Sequence, residues 1–127
     1  MYVYRIEHEK FKIGPYCCGA LNSISKGWFR YWLADSCPDP RQDGLGEMSY
    51  SEFSGFASKK HLCNWFRLRD IFKLRKRGFR VYKFKVDKKL VRKGSKQVCF
   101  VRYAAKDQQE IALRVLAWHR AKSMVLG

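Results

Sequence analysis

The sequence predicts a single domain, residues 1–127, of the α+β class: a mainly antiparallel sheet with two principal helices packed against it. Several short segments alternate apolar and polar residues with the period of two that strands show. Two other segments place apolar residues at helical spacing behind capping residues. A length of 127 residues, 46% hydrophobic and 16% aromatic, is enough for one packed core.

Four segments are predicted to be strands: residues 2–8, 53–57, 79–86 and 97–103. The alternation in the third predicts that Tyr82 and Phe84 face the core. The fourth is rich in valine and phenylalanine, so we expect it to be a central strand. We also expect it to form a hairpin with the third strand, with a basic, flexible tip between them.

Two segments are predicted to be helices: residues 59–77 and 107–122. Ser58 is placed to cap the first helix, and Gly78 is placed to end it. The apolar residues of the first helix form two stripes, which predicts either a kink or one broad buried face. Asp107 and Glu110 form the Asp-x-x-Glu pattern of a capping box at the start of the second helix.

For two further segments the sequence leaves the structure or the role open. Residues 16–34 contain a cluster of aromatic side chains whose second half fits either a short helix or a strand. Residues 35–47 contain two prolines, two glycines and four acids, which predicts a loop. That acidic loop is either a solvated connection or a lid or contact surface.

Composition excludes several classes of protein. The chain is too rich in apolar and aromatic residues to be a disordered basic tail. No apolar run approaches the roughly 18 residues that a membrane span needs, and the acids near the start do not fit a signal peptide. We therefore expect a cytoplasmic protein with no membrane partner.

Five cysteines include no Cys-x-x-Cys pair and have no histidine at metal-ligand spacing. We therefore expect no metal site and no cofactor. Cys63 and Cys99 lie in apolar patterns and are expected to be buried. Cys17 and Cys18 follow a Gly-Pro turn and are either reactive thiols or bystanders.

Positive charge is concentrated in residues 59–102. This segment holds 17 Lys and Arg against Asp70 and Asp87, a net charge of +15 within a whole-chain charge of +16. A surface that only keeps a protein soluble mixes both signs. The imbalance instead predicts contact with the phosphates of nucleic acid or of a nucleoprotein complex, and docking on an acidic host protein is the alternative.

The residues predicted to contact nucleic acid lie at the end of the first helix and in the segment after the third strand. Because Gly78 turns the chain directly from helix to strand, we expect the two groups to converge on one patch. They are Lys73, Arg75, Lys76, Arg77, Lys88, Lys89, Arg92, Lys93 and Lys96.

No arrangement of residues typical of a catalytic site stands out. His8, His61 and His119 are far apart in sequence, and none lies in a nucleophile or metal motif. Glu7 and Glu9 lie two apart on a predicted strand and so share a face, which permits paired-carboxylate chemistry. Ion pairs with the basic segment are the simpler expectation for them. The sequence therefore favours a non-enzymatic function.

Short motifs spread over residues 2–103 resemble a family of small accessory proteins encoded by tailed phages and prophages. The motifs are Tyr4-Arg5-Ile6-Glu7-His8, Gly14-Pro15-Tyr16, Pro38-Asp39-Pro40 with Asp43-Gly44, Gly55-Phe56-Ala57-Ser58, Trp65-Phe66, Gly78-Phe79 and Gln97-Val98-Cys99-Phe100. The resemblance implies a protein that acts in the host cytoplasm. Its class includes inhibitors of host defence such as anti-CRISPR proteins.

The order of some of these features is also similar to the small mono-ADP-ribosyltransferase core. There an Arg, a Ser and a Glu hold and activate NAD, and the corresponding positions here are Arg5, Ser58 and Gln97. The resemblance implies an enzyme of this kind or its inactive relative. Gln97 departs from the pattern, because an amide can hydrogen-bond but cannot supply the negative charge of the Glu.

Overall fold

The computed structural model of the chain describes residues 1–15 and 43–118. The predictions for the aromatic cluster at 16–34, for Cys17 and Cys18, and for most of the acidic loop lie outside the described residues. The last four residues of the predicted helix at 107–122 lie outside them as well.

The described elements follow one another along the chain, and short 3-10 turns at Lys88–Leu90 and Arg102–Ala104 connect strands. A helical segment over residues 113–118 comes last. The other elements are β1 (Tyr2–His8), β2 (Glu52–Gly55), α1 (Lys59–Trp65), α2 (Leu68–Arg75), β3 (Phe79–Lys85), β4 (Val91–Lys93), β5 (Val98–Val101) and β6 (Lys106–Glu110).

The strands form two antiparallel sheets, which confirms the α+β class. The first sheet has the order β1-β3-β6 and the second the order β2-β5-β4. Tyr4 and Phe56 exchange backbone hydrogen bonds of 2.8 and 2.7 Å, which join the edge of the first sheet to the chain leaving β2. The expectation of a central strand at 97–103 is confirmed, because β5 lies between β2 and β4.

The predicted hairpin between residues 79–86 and 97–103 is wrong. β3 pairs with β1 and β6, whereas β5 forms its hairpin with the short strand β4. A turn over residues 94–97 closes that hairpin, and such a short loop costs less chain entropy than the longer one we predicted. β3 also carries apolar residues on both faces, which suits the centre of a layered core better than a hairpin arm.

The predicted helix at 59–77 is two shorter helices, so the kink alternative is confirmed. Phe66 and Arg67 have extended backbones between α1 and α2. The Ser58 hydroxyl accepts a hydrogen bond of 3.1 Å from the His61 N–H, which confirms the N-cap. Gly78 has φ +91°, a left-handed conformation that favours glycine, and it ends this helical region as predicted.

The start of the second predicted helix is wrong. Residues of the supposed capping box instead lie in β6, an edge strand that pairs with β3 and is exposed throughout. Asp107 has φ +53° at an irregularity of this pairing, a conformation that Asp tolerates better than most residues. Backbone bonds to β3 therefore determine the structure here, and helix begins only at residue 113.

Two apolar clusters lie on opposite faces of β3. Phe79 and Val81 pack with Ile6 and the helices, whereas Tyr82 and Phe84 pack with the second sheet. The prediction that Tyr82 and Phe84 face the core is confirmed. Cys63 lies in the cluster beneath the helices and Cys99 is fully buried, as their apolar surroundings predicted.

The helices of residues 1–15 and 43–118 are short. No helix in those two segments has the length and apolar character needed to cross a bilayer.

Candidate basic surface and ligand cavity

Two groups of the residues predicted to contact nucleic acid lie at opposite ends of β3. Lys73 to Arg77 precede the start of β3, whereas Lys88 and Lys89 follow its end. Seven strand residues separate the two groups by about 20 Å, because a strand rises roughly 3.3 Å per residue. The helix-end residues therefore do not converge with Lys88 and Lys89, since Gly78 leads into a strand that carries the chain away from the helix.

Several arginines of the basic segment pair with carboxylates of the same domain. The Arg80 guanidinium lies 3.6 Å from a Glu9 carboxylate oxygen and 3.5 Å from one of Glu110. Arg75, at the end of α2, lies 3.8 Å from the same Glu110 carboxylate. These contacts confirm that Glu9 pairs with the basic segment, and they neutralise part of the charge at the start of β3.

Arg92 is held by four acceptor atoms, two on Glu52 of β2 and two in the chain that precedes β2. Its Nε and Nη2 donate hydrogen bonds of 2.8 and 2.9 Å to the two oxygens of Glu52, and its remaining donors reach the carbonyls of Leu45 and Glu47. The hydrogen bonds from Arg92 lower the pKa of Glu52 to about 2. The structure thus gives Arg92 a positioning role that the sequence did not predict.

The tip of the β4–β5 hairpin is held by a buried carboxylate, that of Asp43. Asp43 accepts hydrogen bonds of 3.0 and 2.9 Å from the N–H groups of Lys96 and Gln97, and another from the Ser95 hydroxyl. A side chain at Gly94 would collide with this carboxylate. The end of the acidic loop is therefore packed against the basic hairpin.

Five lysines and one tyrosine lie together at the end of the first sheet. Tyr2, Lys85 and Lys106 occupy one row across the three strands, so their side chains share a face. The Lys83 ammonium lies 4.0 Å from the centre of the Tyr2 ring. We define the sheet-end surface as Tyr2, Lys83, Lys85, Lys88, Lys89 and Lys106.

Only two members of the sheet-end surface were among the nine predicted residues. Lys83 and Lys85 could have been found from the sequence, because the alternation in β3 already places them on one face. Lys106 could not, because it was assigned to the approach to a helix rather than to a strand that pairs with β3.

A cavity of about 640 Å³ opens beside β1 and β2. Its apolar wall includes Phe53, Phe56 and Trp65, and its polar wall includes Arg5, Lys12, Ser54, Gln97 and Arg102. Apart from Arg5 and Gln97, which the resemblance to the ADP-ribosyltransferase core had placed in one site, these residues were not expected to meet, since they come from four separate parts of the chain.

The two arginines of the cavity share one buried carboxylate. Glu7 Oε2 accepts hydrogen bonds of 2.9 Å from Arg5 Nε and 3.1 Å from Arg102 Nε, and Glu7 Oε1 accepts one of 2.8 Å from Arg102 Nη2. Burial lowers the pKa of Arg5, although an arginine remains cationic at neutral pH. The expected ion pairing of Glu7 with the basic segment is confirmed by Arg102.

The three positions matched to the ADP-ribosyltransferase core are only partly brought together. Arg5 and Gln97 both line the cavity. The Ser58 hydroxyl instead caps α1 and lies 2.9 Å from His61 Nδ1. Among residues 1–15 and 43–118, no group of three His, Cys, Asp or Glu side chains is arranged to hold a metal ion.

A family model described as the Bacteriophage T4 Y00F protein matches residues 1–114. No curated protein and no solved structure matches the chain significantly.

Proposed function

Because the chain belongs to the bacteriophage T4 Y00F protein family, we propose that it is a phage accessory protein that binds nucleic acid through the sheet-end surface. The lysines of this surface contact phosphates, and the interaction does not depend on reading base edges. A host nucleoprotein complex presents the same phosphates, so inhibition of a host defence by an anti-CRISPR-like mechanism would use the same contacts.

The observation that carries this proposal is the contrast between paired arginines and unpaired lysines. Arg75, Arg80 and Arg92 are paired with carboxylates. Among the described residues, no carboxylate forms an ion pair with any lysine of the sheet-end surface. Their charge is therefore available to a partner.

The spacing of these lysines also suits a polyanion. Opposite positions in neighbouring antiparallel strands lie about 5 Å apart, so the potentials of Lys83, Lys85 and Lys106 overlap within a Debye length of about 8 Å. Lys88 and Lys89 lie in the short 3-10 turn that follows β3, so they add positive charge at the same end of the sheet. A surface of this kind attracts phosphates of any sequence.

The test is a titration of fluorescent single-stranded and duplex oligonucleotides at several salt concentrations. If five lysines each neutralise one phosphate, the logarithm of the association constant for duplex falls with a slope of about −4.5 against the logarithm of salt. Absence of binding at about 50 mM salt, where phosphate contacts are strong, would overturn the proposal.

Docking on an acidic host protein is the competing outcome. Purification of the tagged protein from host lysate, with and without nuclease treatment, separates the two. Nucleic acid that co-purifies until nuclease is added supports the proposal. An acidic protein that stays bound after nuclease, with no binding of purified oligonucleotides, contradicts it.

ADP-ribosyl transfer from NAD is a second candidate function, favoured by the shared cavity of Arg5 and Gln97. Arg5 would hold the NAD, and Gln97 would hydrogen-bond to the acceptor side. Two features count against turnover: Gln97 carries no negative charge, and Ser58 is occupied as a helix cap. This candidate is therefore weaker than nucleic-acid binding.

A further inference from the structure

We propose that the cavity beside β1 and β2 binds a small planar anion, an aromatic ring that carries a phosphate or a carboxylate. The site is separate from the sheet-end surface and needs no reaction. Its two candidate sources are a free mononucleotide and an aromatic carboxylic acid, which share the ring and the anionic oxygens.

The dimensions of the cavity suit such a ligand. Its volume of about 640 Å³ lies in the range typical of small-molecule sites, roughly 300–1,000 Å³. Phe53, Phe56 and Trp65 supply the aromatic wall. A planar ring buries a large apolar area against such a wall and orients by stacking or edge contacts.

The charge of the lining favours an anion. Arg5, Lys12 and Arg102 line the cavity, and the described lining includes no carboxylate. Glu7 neutralises one of the two guanidinium charges. Its own carboxylate is 1% exposed and does not line the cavity, so a ligand in the cavity would not contact it. The described lining therefore keeps a net positive charge that a ligand would meet.

The donors are held in place before a ligand arrives. Arg5 is 7% exposed, and it donates hydrogen bonds from Nε to Glu7 and from Nη1 to the Ser54 carbonyl. Nη2 has no hydrogen-bond partner among the described residues, and it lies on the side where Gly14 borders the cavity. A buried arginine with a spare donor is suited to a phosphate or carboxylate oxygen.

Arg102 is held in a similar way. Its Nε and Nη2 bind Glu7, and its guanidinium lies 4.3 Å from the centre of the Phe84 ring. Its Nη1 has no hydrogen-bond partner among residues 1–15 and 43–118. Both guanidinium groups that line the cavity are thus held in place before a ligand arrives, which reduces the ordering cost of binding.

The test is a titration of the full chain followed by ¹⁵N NMR, with the Trp65 indole and the Arg5 Nε–H as reporters. One arm uses AMP and UMP, and the other uses benzoate and indole-3-acetate. Adenosine and indole serve as probes without charge, and inorganic phosphate and acetate as probes without a ring. We expect saturable shifts from at least one arm, with affinity at least about tenfold above that of its ring-only and anion-only probes.

Two variants locate the binding. Ser54→Leu fills the cavity without removing a charge, and we expect it to weaken binding at least tenfold. Lys12→Asn removes a lining charge and keeps a residue that tolerates φ +58°, and Lys10→Asn is its matched control outside the cavity. We expect a loss of about threefold for Lys12→Asn and none for Lys10→Asn.

The result of each arm decides the source of the ligand. Binding by the nucleotide arm alone assigns a mononucleotide, and binding by the carboxylate arm alone assigns an aromatic acid. If neither arm gives a saturable shift at about 5 mM ligand, the proposal is overturned. A dissociation constant above that concentration is weaker than an evolved site would have. Unchanged affinity in a folded Ser54→Leu protein, shown by its amide spectrum, overturns it as well.

Discussion

The buried carboxylate of Glu7 accepts two hydrogen bonds from Arg102, a residue 95 positions further along the chain. Glu7 lies in β1 of the first sheet, and Arg102 directly follows β5 of the second sheet. The same carboxylate binds Arg5, so one anion between the two sheets holds two cations of the cavity.

Glu7→Gln is expected to destabilise the protein by about 3 kcal/mol, because removal of one partner leaves a buried charge uncompensated. Glu9→Gln is the matched control. Its partner contact of 3.6 Å to Arg80 is partly exposed, so its loss is expected to cost under about 1 kcal/mol. Urea unfolding of the two variants measures the difference, and equal costs would contradict a central role for Glu7.

The Glu52–Arg92 pair is expected to make stability depend on pH. The pKa of Glu52 is lowered from 4.5 to about 2 in the folded protein, mainly by hydrogen bonds from Arg92. Its contribution is therefore complete above pH 4.5 and is lost as the pH falls toward 2. Thermal unfolding should show Glu52→Gln less stable than wild type at pH 7, with a gap that narrows in this window. A gap independent of pH would contradict the assignment.

Gly94 and Asp43 are expected to depend on each other. Gly94→Ala places a methyl group against the Asp43 carboxylate and should cost about 2 kcal/mol. Asp43→Ala leaves the N–H groups of Lys96 and Gln97 without their acceptor and should cost a similar amount. The double variant should cost less than the sum, because both changes remove the same contact. Strict additivity in urea unfolding would show that the two residues act independently.

Charge reversal is expected to separate the sheet-end surface from the helix end. Lys85→Glu with Lys88→Glu should weaken oligonucleotide binding at least about tenfold at low salt, because it places like charges against phosphate. Lys73→Glu with Lys76→Glu makes the same change of net charge at the other end of β3 and should have a smaller effect. Equal losses in fluorescence titrations would indicate a general effect of net charge rather than a site.

NAD turnover is expected to be absent from the wild-type protein, because Gln97 cannot supply a carboxylate charge in the cavity. The measurement is nicotinamide release, followed by chromatography, with Arg5→Lys as the paired variant that keeps a buried cation. Release by the wild-type protein that disappears in Arg5→Lys would establish the ADP-ribosyltransferase alternative.

Local sequence patterns predicted most elements, because their causes lie within a few residues. The alternation in 79–86 correctly predicted β3. Ser58 caps α1 as expected, and Gly78 ends the helical region, where its backbone is left-handed. The helix start predicted at 107–110 was wrong. The Asp-x-x-Glu pattern fits a capping box, but it does not depend on whether a neighbouring strand offers an edge for pairing. The neighbouring β3 provided that edge, and pairing with it outweighed the local preference.

The concentration of positive charge in residues 59–102 was determined by the sequence alone, because composition does not depend on folding. The tertiary structure decided which of those charges are neutralised: Arg92 meets Glu52 and Arg102 meets Glu7, whereas Lys85, which lies beside Lys106 of β6, forms no ion pair within residues 1–15 and 43–118. It also decided the cavity, whose walls come from residues far apart in the chain. Ion pairs and cavities depend on distances in space, and these are set only when the two sheets pack together.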